Sequence, residues 1–341
     1  MTALAFGVAA TLGSLRYDGG IARARIESML APGIGSARIL LPRALREEAA
    51  VGDDVVVELT GESGESGQVF GGTVAAVQRS TPSTTVVSID ASGRLAAQRL
   101  GSTYDQRTAK ALIGAMAHDA GVDVGALSLD LPLVGYVADQ RRTGWEHIAR
   151  IVAWAGAIAT TDAEGRLVVT PTPSPPANLA LRYGREIATL RVAARRAPID
   201  GGVWIVGSGP AGSADAADAR VPAATTLPAD LGSPSPDLVR RGAPALRTPA
   251  AAATATAAVR AASTARLSAE CWLVPQIRAG TTIEIADAPQ QDAKGPWLVT
   301  RVVHEVGPGP RGRTRIAATG LAAAGGSLLD AAVAAVGSLL S

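Results

Sequence analysis

Residues Gly207-Ser208-Gly209-Pro210-Ala211-Gly212 have the spacing G-x-G-x-x-G and directly follow the apolar run Val203-Trp-Ile-Val206. In a dinucleotide-binding enzyme such glycines let the backbone approach a pyrophosphate, which then sits on the N-terminus of the next helix. An FAD- or NAD-binding oxidoreductase using Gly207–Gly212 is therefore one reading of the chain. That chemistry needs a helix immediately after the glycines. The next residues, Ser213-Ala-Asp-Ala-Ala-Asp-Ala-Arg-Val-Pro222, are polar and acidic, and proline stops them after barely two turns. No second strand with a terminal acidic residue comes at βαβ distance. A glycine-rich loop leaving a strand is the simpler account, and no cofactor is expected.

The other reactive side chains form no constellation. His118, His147 and His304 lie far apart, and none has an i, i+4 histidine or a carboxylate in the H-E-x-x-H pattern. They read as surface or core histidines. Cys271, the lone cysteine, stands beside Trp272 at the start of an apolar strand and reads as a small buried side chain, not a nucleophile. Glu47-Glu48 and Asp53-Asp54 are acidic pairs near turns and read as solvated. Arg311, Arg313 and Arg315 alternate along a strand and so share one solvated or interface face. No catalytic residue and no metal site is expected.

The elements that carry these residues are best defined between Tyr136 and Pro171. Thr143 and Glu146 have the S/T-x-x-E spacing of a capping box. Trp145, Ile148, Ile151, Val152 and Ala155 recur at helical spacing, and Gly156 stands where a left-handed cap ends a helix. Two short strands then flank the turn Asp162-Ala-Glu-Gly165. The spacing predicts a strand, a capped amphipathic helix and a hairpin.

Composition sets the outer limits. The chain has 341 residues, enough for two or three domains, and a formal net charge of +2, which implies no strongly polyanionic partner. With 38 glycines, 21 prolines and short alternating segments it reads as a turn-rich β protein. One cysteine excludes an intrachain disulfide framework. Residues 3–15 are apolar but lack a charged segment before them, so no signal peptide is expected. The C-terminal run is alanine- and glycine-rich with Asp330 at its middle, a poor membrane span.

Elsewhere, Gly52-Asp-Asp54 leads into a β-branched strand, Val69–Val74 and Val86–Asp90 come next, and Thr108 caps a helix with the stripe Ala109, Leu112, Ile113, Met116 and Ala120. Pro171–Pro176 is a break. Residues 207–245 read as a long loop, and 250–269 as an alanine-rich helix. Strands resume at Cys271, through Thr281–Ile285, Trp297–His304 and Thr314–Thr319.

Taken in order, these segments resemble the late control protein D group, the phage tail (baseplate) hub family that includes the hub part of type VI secretion spikes. Gln140, Trp145, Ile148, Arg150 and Gly156 fall at its "VQ-x-x-E-S-x-W-D-F-L-x-R-L-A-x-x-x-G" segment, and Gly165-Arg-Leu167 at its "D-G-x-L" hairpin. Trp297 and His304 fall at "G-x-Y-x-V-x-x-V-x-H", with tryptophan in place of tyrosine. Thr143-Gly144 replaces the usual acidic-small pair, and His147 stands where an aromatic is common.

The resemblance implies an α+β, mainly β fold: two small antiparallel β-barrel domains, an inserted α/β subdomain and a C-terminal helix. The expected division is 1–99 first barrel, 100–175 inserted subdomain, 176–245 returning strands and loop, 246–320 second barrel with a leading alanine-rich helix, and 321–341 the terminal helix. It implies a structural, non-enzymatic hub in the virion tail of a phage or contractile injection system, assembled in the host cytoplasm. Three copies would form a ring between a hexameric tail tube or distal tail protein and a trimeric spike or tip, with DNA in transit through the lumen. Structural or interface candidates are Gln140, Trp145, Trp297 and His304. In the terminal helix, Ser327 and Asp330 would cap a seam of Leu329, Val333, Val336 and Leu340, spaced 4-3-4, which would pack on symmetry copies or a tape-measure protein.

Overall fold

A computed structural model describes residues 6–45, 48–61, 64–104, 107–133, 135–174, 176–193, 203–210, 220–222, 239–261, 265–308 and 311–321. The first seven strands are β1 (Gly7–Leu12), β2 (Leu15–Tyr17), β3 (Arg23–Met29), β4 (Ser36–Pro42), β5 (Asp54–Thr60), β6 (Ser66–Arg79) and β7 (Ser83–Ile89). Their period-2 alternation is that of a sheet with one dry face. In β3, Ala24 and Ile26 are buried between Arg23, Arg25 and Glu27, and in β5, Val55, Val57 and Leu59 are buried. With Leu12, Ile39, Leu41, Phe70 and Val86 they fill the first core.

A short helix, α1 (Ala91–Ala97), leads into a middle unit. This comprises β8 (Ser102–Tyr104), β9 (Arg107–Thr108), α2 (Ala109–Asp119), β10 (Val124–Leu127), β11 (Pro132–Leu133), β12 (Tyr136–Ala138), α3 (Gly144–Ala155), β13 (Ala157–Thr161) and β14 (Leu167–Pro171). The predicted caps are present. Thr108 accepts from the Ala111 amide, Thr143 and Glu146 close a capping box, and Gly156 ends α3 with φ 63°. Leu112, Ile113, Met116, Trp145, Ile148 and Ile151 are fully or almost fully buried and define the second core.

The rest of the chain comprises β15 (Leu179–Arg182), β16 (Ile187–Ala193), β17 (Val203–Pro210), β18 (Arg220–Pro222), β19 (Val239–Ala243), α4 (Pro249–Ala261), β20 (Arg266–Trp272), β21 (Thr282–Ala286), β22 (Pro296–Gly307) and β23 (Arg311–Gly320). Leu181, Ile187, Cys271, Ile283, Val302 and Ile316 make the third core. β17, β19 and α4 do not join it. Ile205, Ala243, Ala251 and Ala255 lie in the core of the middle unit, because the small alanine face of α4 lets it lie close against α3 and β17.

The architecture is α+β and mainly β, as expected, but the strands of the two lobes belong to one sheet. Its order is β16-β20-β23-β22-β3-β4-β7-β6-β5-β1-β2, with β21 on β22 and β15 on β21. Among the described residues no ladder closes either lobe into a ring. The reason lies in β22, whose twelve residues divide one edge between two neighbours. Trp297 and Leu298 pair with β21, and Arg301 to Val306 pair with β3. A register shift between Val299 and Arg301 marks the same part of the strand. One face of this sheet carries the first and third cores, and the opposite face is polar.

Candidate functional site

Among the described residues no cluster of His, Cys, Asp and Glu is placed to hold a metal, and the sites that matter are the junctions that hold three cores in one body. The loop after β3 is the meeting point. Leu30 N–H donates to Thr300 O of β22 at 3.0 Å, and Ala31 N–H donates to Ala159 O of β13 at 2.9 Å. The Thr160 hydroxyl donates to Met29 O at 3.2 Å. Trp145 Nε1–H donates to Gly33 O at 2.8 Å. Trp145 is thus more than a core residue of α3: its ring system fills the middle core while its one donor reaches the first lobe. That dual use is why a tryptophan with a satisfied N–H suits the position. Gln140 is exposed, and its side chain lies over Gly101, where an added Cβ would come within 2.6 Å of Nε2.

A second tie centres on Asp90, which in the sequence marks only the start of a short passage. It is the N-cap of α1. Its carboxylate accepts from Ser92 N–H at 3.0 Å, from the Ser92 hydroxyl, and from the Thr161 hydroxyl of β13 at 2.5 Å. Gly35 N–H donates to Ser92 Oγ at 3.1 Å, and Asp90 N–H to Gly35 O at 3.2 Å. Burial pushes the Asp90 carboxyl above its ordinary range, against the pull of these donors. Leu95 of the same helix is itself fully buried.

A third contact explains the hairpin turn 162–165. Gln68 Nε2 donates to Ala163 O at 2.7 Å, and Gly71 of β6 and Gly165 meet backbone to backbone. A Cβ on Gly165, whose φ is 82°, would fall 2.6 Å from Gly71 O. Asp162 closes the turn by accepting from Arg166 N–H and Nε–H, both at 2.8 Å.

The histidines divide as read. His118 is exposed. His147 is buried; its Nε2–H donates to Asp139 O at 3.0 Å, which leaves Nδ1 to accept from the Tyr136 hydroxyl at 2.7 Å. Burial lowers the His147 pKa and pushes Tyr136 up to about 12. His304 is the keystone of the third core. Its Nε2–H donates to Ile277 O at 3.1 Å, and Nδ1 accepts from the Thr314 hydroxyl at 2.9 Å. Thr314 Oγ1 in turn accepts from Val274 N–H at 2.9 Å. The pattern fixes a neutral imidazole, and burial lowers its pKa to about 4. Trp297, the other family position, is buried and donates from Nε1 to Ala293 O at 2.9 Å. Cys271 is buried, and burial pushes its thiol up to about 12.

The glycine motif is not a strand-to-helix turn where it begins. β17 runs through Gly207, Ser208 and Gly209 to Pro210, pairing with β18 on one side and β19 on the other. Ala211 and Gly212 lie outside the described residues, as do Leu329, Val333, Val336 and Leu340 of the expected terminal helix. Among the described residues no group of three or more His, Cys, Asp or Glu is placed to hold a metal ion. No described helix is long and apolar enough to cross a membrane.

No family model matches the chain, and no curated protein matches its sequence. Solved structures do match its fold. The 43 kDa tail protein of prophage MuSo2 from Shewanella oneidensis is similar with a TM-score of 0.65 at 15 % identity, over 93 % of this chain and 98 % of that one. The tail protein from Neisseria meningitidis MC58 gives 0.67 at 12 % identity, over 92 % and 96 %. The E. coli c3393 protein, a component of the type VI secretion system with structural similarity to the T4 tail proteins gp27 and gp5, gives 0.61 at 12 % identity, over 92 % and 77 %. The fold is therefore that of phage tail proteins and type VI secretion proteins. Its structural neighbours are those that the resemblance to the tail hub family implies.

Proposed function

We propose that the protein is a structural component of the tail of a phage or phage-like contractile particle, and not an enzyme. The observation that carries this is the whole-length match to two phage tail proteins, which spans more than nine-tenths of both partners in each pair. In this reading the chain is the baseplate hub. Three copies close into a ring, and two lobes per chain present six similar units to a hexameric tube. The two separate β cores on one shared sheet support the two-lobe division. Trp145 and Asp90 act as internal ties that hold the middle unit on the first lobe, and the β22–β3 ladder joins the two lobes, a fixed arrangement that symmetry matching requires. The middle unit, built around residues 100–175, has its own core, to which Leu95, Ile205, Ala243 and α4 also contribute.

The partners are then further copies of the chain, the tail tube or distal tail protein, a spike or tip, and a tape-measure protein, with DNA passing through the lumen. Its location is the tail tip or baseplate of a virion assembled in the host cytoplasm. Antibody labelling of purified particles tests this. Label at the tube end beneath the baseplate is expected, and label along the tube or on the capsid would refute it.

A further inference from the structure

On the polar face of the sheet, cross-strand register aligns Trp272, Arg313, Glu305, Arg25 and Arg38 in one row over β20, β23, β22, β3 and β4. Most of the row is satisfied. Arg313 stacks on Trp272 with its guanidinium carbon 3.8 Å from the ring centre. Glu305 pairs with both Arg25 and Arg315, and Glu27 with Arg25 and Arg301. The end of the row breaks the pattern. Arg25 stands directly opposite Arg38, with Cβ atoms about 5 Å apart in such a pair, and like charges placed so are destabilising. Arg38 is exposed and meets only the neutral Gln78 at 3.5 Å. Arg23, two residues along the same face, has no ion-pair partner among the described residues.

These arginines line a groove of about 580 Å³ with Leu40, Thr85, Val306 and Pro308. Of its four arginines, Arg25 pairs with Glu305 and Glu27 and Arg313 with Glu270, which leaves Arg23 and Arg38 without a carboxylate among the described residues. A chain with a formal net charge of only +2 has thus placed two arginines without ion pairs in one groove. The apolar floor decides what these two arginines are for. A phosphate backbone would make no use of Leu40 and Pro308, and nucleic acid would want an aromatic platform. Trp272 is covered by Arg313.

We propose that this groove binds an extended acidic segment of a partner protein, with carboxylates on Arg23 and Arg38 and apolar side chains on Leu40 and Pro308. Guanidinium forks suit carboxylates, and alternation is what an extended peptide presents. The assignment stands on the charge and lining of the groove and does not depend on ring closure or on the tail reading.

Fluorescence anisotropy on the full chain tests it, using a labelled eight-residue peptide of alternating glutamate and valine, its glutamine counterpart, and an oligo-dT strand. The glutamate peptide is expected to bind at least tenfold more tightly than the other two. Arg23→Gln/Arg38→Gln should weaken it at least tenfold, whereas Arg141→Gln/Arg185→Gln, elsewhere on the surface, should not. Arg23→Gln alone removes no native ion pair, so its effect cannot be ascribed to misfolding. Absence of peptide binding would overturn the proposal. So would affinity unchanged in the double variant, or oligo-dT binding tighter than the peptide.

Discussion

Replacing His304 with glutamine should flatten the acid side of the stability profile. His304 is neutral in the fold, donating to Ile277 O and accepting from Thr314, and its pKa is lowered from 6.5 to about 4. Above pH 6.5 the imidazole is neutral both folded and unfolded, so its full contribution is present. As pH falls below 6.5 the unfolded chain takes up a proton that the folded chain refuses until about 4. Stability therefore falls across that window and levels below it. A gap of about 2.5 pH units at about 1.36 kcal/mol each amounts to about 3 kcal/mol. Glutamine spans a similar reach and can both donate and accept, but it does not titrate. Urea unfolding at pH 7.5, 6, 5 and 4 should show the wild type losing about 3 kcal/mol more than His304→Gln. His147, lowered in the same direction, and Asp90, raised, are present in both proteins and cancel in the difference. Parallel profiles would refute the neutral buried imidazole.

The junctions and cores give three further outcomes. Trp145→Phe keeps the ring packing but leaves Gly33 O without its donor. It should cost about 1–3 kcal/mol in urea unfolding and speed protease cleavage between residues 29 and 36; an unchanged midpoint would show that the tie carries nothing. Gly165→Ala forces a Cβ at positive φ against Gly71 O and should cost at least about 1 kcal/mol, whereas Gly64→Ala, also at positive φ but in open space, should cost less. Cys271 should resist Ellman's reagent until the chain unfolds, and fast labelling of native protein would contradict its burial.

Local structure was the legible part of the sequence. The block Tyr136–Pro171 formed as its caps and periodicity required, because a capping box, a left-handed glycine and a tight turn are decided by residues three or four apart. Helix α1 is not legible since seven residues carry too little periodicity, and its cap, Asp90, is held by Ser92 and also by Thr161 from a distant strand. The single sheet was not legible either. The β22–β3 ladder joins Arg301–Val306 to Ala24–Met29, near opposite ends of the chain, and nothing in either strand names the other. The glycines of 207–209 mimic a phosphate loop because spacing alone cannot tell a strand from a turn; Gly207 is held by β19 and Gly209 by β18, partners that spacing does not name. The arginine row shows the same limit: Arg311, Arg313 and Arg315 were visible as one face, but their alignment with Arg25 and Arg38 comes from register.

Closure of three copies into a hub is tested most directly by solution mass from light scattering, with an absorbance spectrum of the same peak. A colourless species near 103 kDa, three chains of 34.4 kDa, is the predicted result. A species of 34.4 kDa at every concentration up to millimolar, or a yellow flavin-bearing peak of any mass, would contradict it.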